Sequence, residues 1–226
     1  TAFVLVREFD SDYYLFMATE KGMVKKSELQ LFSRPISSGI IAINLNEDDK
    51  LIAVKLTDGT REILLVTRKG QSIRFSEEEA RSIGRNAAGV RGIKLSKDDW
   101  VVGMEVVKHK ASILTITENG YGKRTDISEH TLQARAGRGN IAIKTTERNG
   151  YVVGMKMVVD GDELIAISSN GMVTRIAVTD ISIISRNTQG VRIMSLQPDE
   201  KVVDITRIAA TDESETEELE NSDEEN

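Results

Sequence analysis

The 226-residue chain has no cysteine, so neither disulfides nor thiolate metal sites hold it together, and an intracellular, cytoplasmic setting is expected. No stretch approaches the roughly 18–20 apolar residues needed to span a bilayer. The opening Thr-Ala-Phe-Val-Leu-Val-Arg-Glu-Phe carries no basic flank, long apolar run or cleavage site, so neither a membrane partner nor export is expected. Aromatic residues make up only 4% of the chain, which argues against a protein that grips single strands by stacking bases. The two histidines, His109 and His130, lack partners at ligand spacing. Asp48-Asp49 and Asp98-Asp99 lack the spacing of an EF-hand loop and read as solvated turns, so no metal is expected. Without converging acids, histidines or a metal, a propeller hydrolase is disfavoured.

What the chain does have is a repeat. Gly22, Gly70, Gly120 and Gly171 follow one another at 48, 50 and 51 residues; Gly39, Gly89, Gly139 and Gly190 follow at 50, 50 and 51. Cations keep the same register. Four residues after the first glycine stand Lys26, Arg74, Arg124 and Arg175, with Lys25 and Lys123 just before two of them. Four residues before the second glycine stand Arg85, Arg135 and Arg186, with Arg34 one place off in the first copy. Arg138 precedes the second glycine of the third copy directly, and Arg91, Lys94, Lys144 and Arg192 follow these glycines. A fixed period of this length means an array of supersecondary units, each needing its neighbours to bury a core.

Each unit holds four strand-sized apolar runs, in the first copy Tyr14–Thr19, Met23–Lys26, Ile40–Leu45 and Leu51–Thr57, rich in Val, Ile, Leu and Thr. The first two are joined through the first glycine, twice as Asn-Gly, which suggests a type I′ hairpin. A helical turn is expected within 77–83. Residues 1–9 align by the period with 51–57, 100–107, 151–158 and 201–208, and read as the last strand of a preceding unit. The fold class expected is all-β, a propeller-like array of four-stranded blades over residues 1–210, with repeats at about 10–57, 58–107, 108–158 and 159–210. Trp100, Phe3, Phe9 and Phe75 are expected in the core or between blades.

The net charge of -6 is uneven. Residues 211–226 hold nine acids and no base; without them 27 acids face 30 Lys and Arg, about +3. The tail has one large apolar residue, Leu219, and is expected to be disordered and to compete with any anionic partner. The body's cations, repeated in register, suit a polyanion longer than one unit: duplex DNA, held by phosphate contacts with weak sequence specificity. The glycines suit close backbone approach to phosphate as well as turns. All fifteen cations named above are expected DNA-binding residues.

These motifs resemble a known family. Gln133-Ala-Arg-Ala-Gly-Arg-Gly139 is similar to a degenerate Gln-Arg-Arg-Gly-Gly-Lys-Gly box of the DNA gyrase A subunit. Asn-Gly-Tyr-Gly-Lys-Arg-Thr (119–125), Thr-Glu-Arg-Asn-Gly (146–150), Gly-Val-Arg-Gly-Ile (89–93) and Ser-Arg-Asn-Thr-Gln-Gly-Val (185–191) resemble the C-terminal domain of that protein. The resemblance implies a β-pinwheel in which neighbouring blades exchange strands. It also implies a non-catalytic, DNA-wrapping role supporting ATP-dependent negative supercoiling. The implied partners are the catalytic core of gyrase A and the gyrase B subunit. ATP, Mg and the catalytic tyrosine would belong to the rest of the enzyme; no cofactor is implied here. Tyr13, Tyr14, Tyr121 and Tyr151 sit in strand or turn contexts. The family has six blades, so the four units here would lack about the first two. Topoisomerase IV carries a related domain and is the rival assignment. A kelch- or WD-type interaction propeller is the alternative without DNA; it needs no cation at fixed positions and would carry Trp-Asp signatures absent here.

Overall fold

The computed structural model describes residues 2–9 and 12–210; the acidic stretch 211–226 lies outside the described residues. The first repeat forms β1 (Tyr14–Thr19), β2 (Met23–Glu28) and β3 (Leu51–Thr57). The second forms β4 (Glu62–Thr67), β5 (Gln71–Ser76), the short β6 (Val90–Arg91) and β7 (Val101–Val106). The third forms β8 (Ser112–Thr117), β9 (Tyr121–Asp126), β10 (Asn140–Ile141) and β11 (Val152–Val158); the fourth β12 (Glu163–Ser168), β13 (Val173–Ala177), β14 (Val191–Arg192) and β15 (Val202–Ile208). A 3-10 turn follows the second strand of every repeat, at Leu29–Phe32, Glu77–Glu79, Ile127–Glu129 and Val178–Asp180.

The sheets do not coincide with the repeats. Their orders are β3-β1-β2-β6, β7-β4-β5-β10, β11-β8-β9-β14 and β15-β12-β13, so the outermost strand of each complete blade comes from the following repeat. This is strand exchange. The clasp is the same each time: Gly22 O accepts from the N–H groups of Gly92 and Ile93, Gly70 O from those of Ala142 and Ile143, and Gly120 O from those of Ile193 and Met194. The hairpin turn that presents each carbonyl differs from the expected type I′. Only the glycine has positive φ, +80° at Gly70, and its N–H donates to Thr67 O at 2.9 Å; this is a type I turn closed by a left-handed glycine.

Alternation along the strands makes three inter-blade cores. Phe16, Ala18 and Val24 meet Ile63, Leu65, Ile73 and Phe75 between the first two blades, with the Phe16 and Phe75 rings 6.4 Å apart. Leu64 and Val66, on the other face of β4, meet Ile113, Ile143, Met155 and Met157. Leu114 and Ile116 meet Leu164, Ala166, Met194 and Ile205. Successive last strands, β3, β7, β11 and β15, lie side by side and, with Ala2, Phe3 and Val4, line a cavity of about 400 Å³. Each blade is thus a wedge that is apolar on both faces and stable only against its neighbours.

Two expected strands do not form. Ile40–Leu45 makes no ladder, because the described residues contain no earlier hairpin to receive it; instead Ile40, Ala42 and Ile43 pack on Leu15, Met17 and Phe32 of the first blade. Residues 2–9 form no strand either, and Val4 and Val6 cover that same face. At the far end, among the described residues, no strand is added to the edge of β13. Phe3 and Phe9 are exposed, against the expectation of core packing. Among the described residues no helix is long and apolar enough to cross a membrane.

The clasp predicts a graded response to alanine. A Cβ on Gly70 would stand 2.1 Å from Ile143 O, whereas one on Gly171, with the same φ, meets nothing within 4 Å. Gly171→Ala should cost about 1–2 kcal/mol from the left-handed backbone alone. Gly70→Ala should cost about 1–3 kcal/mol more by overpacking the exchanged strand. Equal denaturation midpoints for the two variants would contradict the clasp.

Candidate nucleic-acid interface

The links between second strand and exchanged strand run around the outside of the array and interlock. Asn44 N–H donates to Ala87 O, Lys94 N–H to Gly137 O, Ala136 N–H to Gly92 O, and Lys144 N–H to Thr188 O. Each link therefore rests on the exchanged segment of the repeat before it. The second glycines make this close: a Cβ on Gly139 would lie 2.1 Å from Ser72 O. Protein backbone stands where a side chain on that glycine would be.

The fifteen expected cations fall into three groups. Lys25, Lys26, Lys123 and Arg124 are buried. Lys25 Nζ donates to Ala42 O at 2.7 Å and to Arg85 O; Lys123 Nζ donates to Ser185 O at 2.5 Å and Arg186 O at 2.6 Å. Burial pushes both lysines down to about 8, so at neutral pH each keeps the proton these carbonyls need. Arg124 donates to Ile181 O at 2.7 Å and pairs with Asp160. Lys26 lies 5.2 Å from the centroid of the Tyr14 ring. Half-buried Arg74 pairs with Glu62 at 2.5 Å and donates to Ile127 O and His130 O of the next repeat, and exposed Arg175 pairs with Glu163. These six side chains are thus engaged within the protein, four of them (Lys25, Arg74, Lys123 and Arg124) holding links or turns of neighbouring segments. That use differs from the phosphate contact expected of them: Arg74 and Arg124, four after the first glycine, reach the 3-10 turn of the next repeat, while Lys25 and Lys123, on the opposite face of the strand, hold the rim link.

Arg85, Arg135 and Arg186 are half-buried on the interlocking links. Arg135 Nη1 donates to Arg91 O, and Arg186 Nη1 to Ile141 O at 3.3 Å, each reaching back onto the preceding exchanged strand. Their backbone N–H groups are held by Glu79 and Glu129. The remaining six, Arg34, Arg91, Lys94, Arg138, Lys144 and Arg192, are exposed, and none makes an ion pair among the described residues. Lys94 and Arg138 line one groove of about 630 Å³ on the rim; Asn140, Arg186 and Asn187 line the next, of about 460 Å³. The rim therefore offers unpaired positive charge on a scaffold fixed by backbone hydrogen bonds.

A family model described as DNA gyrase C-terminal domain, beta-propeller, matches residues 13–58, 61–108, 111–158 and 162–209. The chain belongs to this gyrase family. It is 52% identical to the DNA gyrase A subunit of Clostridium acetobutylicum over 223 residues, covering 99% of this chain and 26% of that protein. It is 43% identical to the DNA gyrase A subunit of Escherichia coli over 209 residues, covering 92% of this chain and 24% of the relative. The chain thus spans about a quarter of these relatives. Among solved structures, the C-terminal domain of DNA topoisomerase IV superposes with a TM-score of 0.89 at 28% identity, covering 98% of this chain and 69% of that one. A DNA gyrase A C-terminal domain gives 0.82 at 24% identity, covering 92% and 69%, a likeness of fold.

The structure of this gyrase-family domain also corrects the reading of the acids. Asp49 and Asp99 are buried: Asp49 Oδ1 accepts from the N–H groups of Lys21 and Lys50, and Asp99 takes Lys69 N–H, Trp100 N–H and the Thr67 hydroxyl. Asn149 and Glu200 occupy the same place in the later repeats. These side chains cap the tip of each hairpin and are not solvated. Trp100 is partly exposed; Arg68 lies 4.5 Å from its centroid and 3.5 Å from that of Tyr151. Arg148, outside the repeat register, was not among the expected cations, yet it is exposed and stands over the Tyr121 ring.

Two outcomes test this geometry. Lys123→Met should lower stability by about 1–3 kcal/mol, since two carbonyls of the rim link lose a charged donor; an unchanged denaturation midpoint would show that the link does not depend on it. His130 is buried, with Nδ1 3.1 Å from Ser72 Oγ; burial, aided by Arg186, Lys123 and Arg74, pushes its pKa down to about 4. Its contribution to stability is complete above about pH 6.5 and is lost as pH falls toward 4, because the unfolded chain takes the proton first. His130→Gln should therefore lose less stability than the parent between pH 6.5 and 4, measured by urea titration.

Proposed function

We propose that this chain is the DNA-binding and DNA-wrapping part of a gyrase A subunit, without catalytic activity of its own. Duplex DNA runs along the rim, its phosphates neutralised by Arg91, Lys94, Arg138, Lys144 and Arg192, with Arg34, Arg85, Arg135 and Arg186 beside the path. The observation that carries this reading is that five of the six exposed, unpaired cations of the repeat register, Arg91, Lys94, Arg138, Lys144 and Arg192, lie on or next to the exchanged strands, which follow one another from blade to blade. The buried or ion-paired cations Lys25, Lys26, Arg74, Lys123, Arg124 and Arg175 serve the scaffold. No element here suits reading base edges in a groove, so sequence preference is weak. In the whole enzyme the wrap would deliver a DNA segment to the catalytic core of gyrase A, working with gyrase B, which together use ATP and Mg to introduce negative supercoils. Identity near half with gyrase A proteins favours gyrase over topoisomerase IV.

Bending 20–30 base pairs through 40–90° costs about 1–6 kcal/mol, so several phosphate contacts must act together. With about six to eight contacts, log K should fall against log salt with a slope of about -5 to -7. The combined variant Lys94→Glu, Arg138→Glu and Lys144→Glu should flatten that slope by about 3, and Arg175→Glu should leave it unchanged; the reverse pattern would refute the rim. Wrapping itself is read by ligating nicked circular DNA with the protein bound. A linking-number shift that grows with protein concentration supports a chiral wrap. Salt-sensitive binding with no shift would leave a rim that binds without wrapping.

A further inference from the structure

One group on the rim is built differently from its counterparts in the other repeats. Tyr121, which opens β9, is buried, and its hydroxyl accepts from Arg192 Nη2 at 3.1 Å. The Arg192 guanidinium carbon lies 5.6 Å from the ring centroid and that of Arg148 lies 4.9 Å from it. The three residues come from three elements of two repeats: β9 and the turn before β11 from the third, β14 from the fourth. Two like charges are therefore held against one ring, and among the described residues neither has a carboxylate within ion-pair reach.

The turn that carries Arg148 is fixed. Asn149 Oδ1 accepts from Thr146 N–H at 2.8 Å, its Nδ2 donates to Lys144 O and Gln189 O, and Asn119 Nδ2 donates to Arg148 O. In the other repeats the residue before the buried cap is Asp48, Asp98 or Asp199. Tyr121 is likewise matched by Met23, Gln71 and Met172. Only the third repeat replaces the acid by arginine and supplies an aromatic ring to hold it. A ring face favours a cation but does not neutralise it, so two guanidiniums gathered there form a receptor for an anion.

We infer that Arg148 and Arg192 form a two-arginine phosphate clamp at the junction of the third and fourth repeats, with Tyr121 as the positioning residue that holds both. The inference rests on the rim as the DNA path and adds to it an anchor where the backbone is gripped more firmly than elsewhere. The ligand is a phosphodiester of the duplex; a free phosphate has the same chemistry and is separated by the test.

The experiment is fluorescence anisotropy of a labelled duplex with the full chain across a salt series. Arg148→Asp puts a short turn-forming acid at an exposed position whose turn is held by Asn119 and Asn149, so the fold tolerates it. It should weaken binding about tenfold at low salt and flatten the salt slope by about 1 or more. Tyr121→Phe, which keeps the ring, should weaken binding about two- to threefold by releasing only the hydrogen bond to Arg192. Tyr121→Leu should approach the loss seen for Arg148→Ala with Arg192→Ala, and should add nothing when combined with that pair; a purely structural tyrosine would weaken binding in both backgrounds. Binding by Arg148→Asp within about twofold of the parent, with Lys94→Glu still impaired, would overturn the clamp and leave the rim standing. Both variants binding like the parent would overturn the rim as well. Displacement of the duplex by inorganic phosphate beyond ionic-strength-matched chloride would reassign the clamp to a free phosphate ligand.

Discussion

The molecule depends on one backbone interaction, repeated from blade to blade: the carbonyl of a hairpin glycine receiving two N–H groups from the next repeat. It covers the edge of each receiving hairpin with a two-residue strand, so the edge that remains on each complete blade is too short to template pairing with another chain. It also decides composition. The donating strand runs directly over the glycine, so a side chain at Gly70 or Gly120 would have to occupy the position of a carbonyl. The fifty-residue period follows from this: a repeat must contain a hairpin that receives, a link long enough to reach the previous blade, a strand that donates, and a return to the axis.

The same exchange sorts the charges. Side chains alternate across β5 and β9, so one cation on each is turned toward the following blade, where it meets carbonyl oxygens of the next 3-10 turn. The lysine beside it, in the first and third repeats, is turned to the carbonyls of the rim link. Cations on the exchanged strand and its flanks have no such partners and face solvent. Buried basic residues therefore build the scaffold that presents the exposed ones. The second group is held out to solvent along the rim only because the first holds the link in place.

Much of this was legible in the sequence. The glycine period set the number of repeats, the apolar runs marked most strands, and the motifs between Gly89 and Val191 carried the family. Register alone could not separate the two groups of cations, because a residue's offset from a glycine does not say which face of a strand it occupies. Arg124 and Arg138 look alike in sequence, yet one is buried against Ile181 O and the other is exposed. Ile40–Leu45 has the composition of a donated strand, but forming one depends on a receiving hairpin, which is tertiary information. Asp49 and Asp99 read as solvated because turn acids usually are; their burial follows from the hairpin N–H groups converging on them. Arg148 breaks the repeat, and a method that looks for what repeats passes over it.

The absence of cysteine makes the central claim directly testable. Single cysteines at Asn86, Ala134 and Asn187, one on each interlocking link, can carry an iron chelate that cuts DNA nearby, with His109, on an exposed loop between β7 and β8, as the control. If duplex DNA follows the exchanged strands, all three rim positions should cut a bound duplex and His109 should not. Cutting from His109 with silence from the rim would contradict the account.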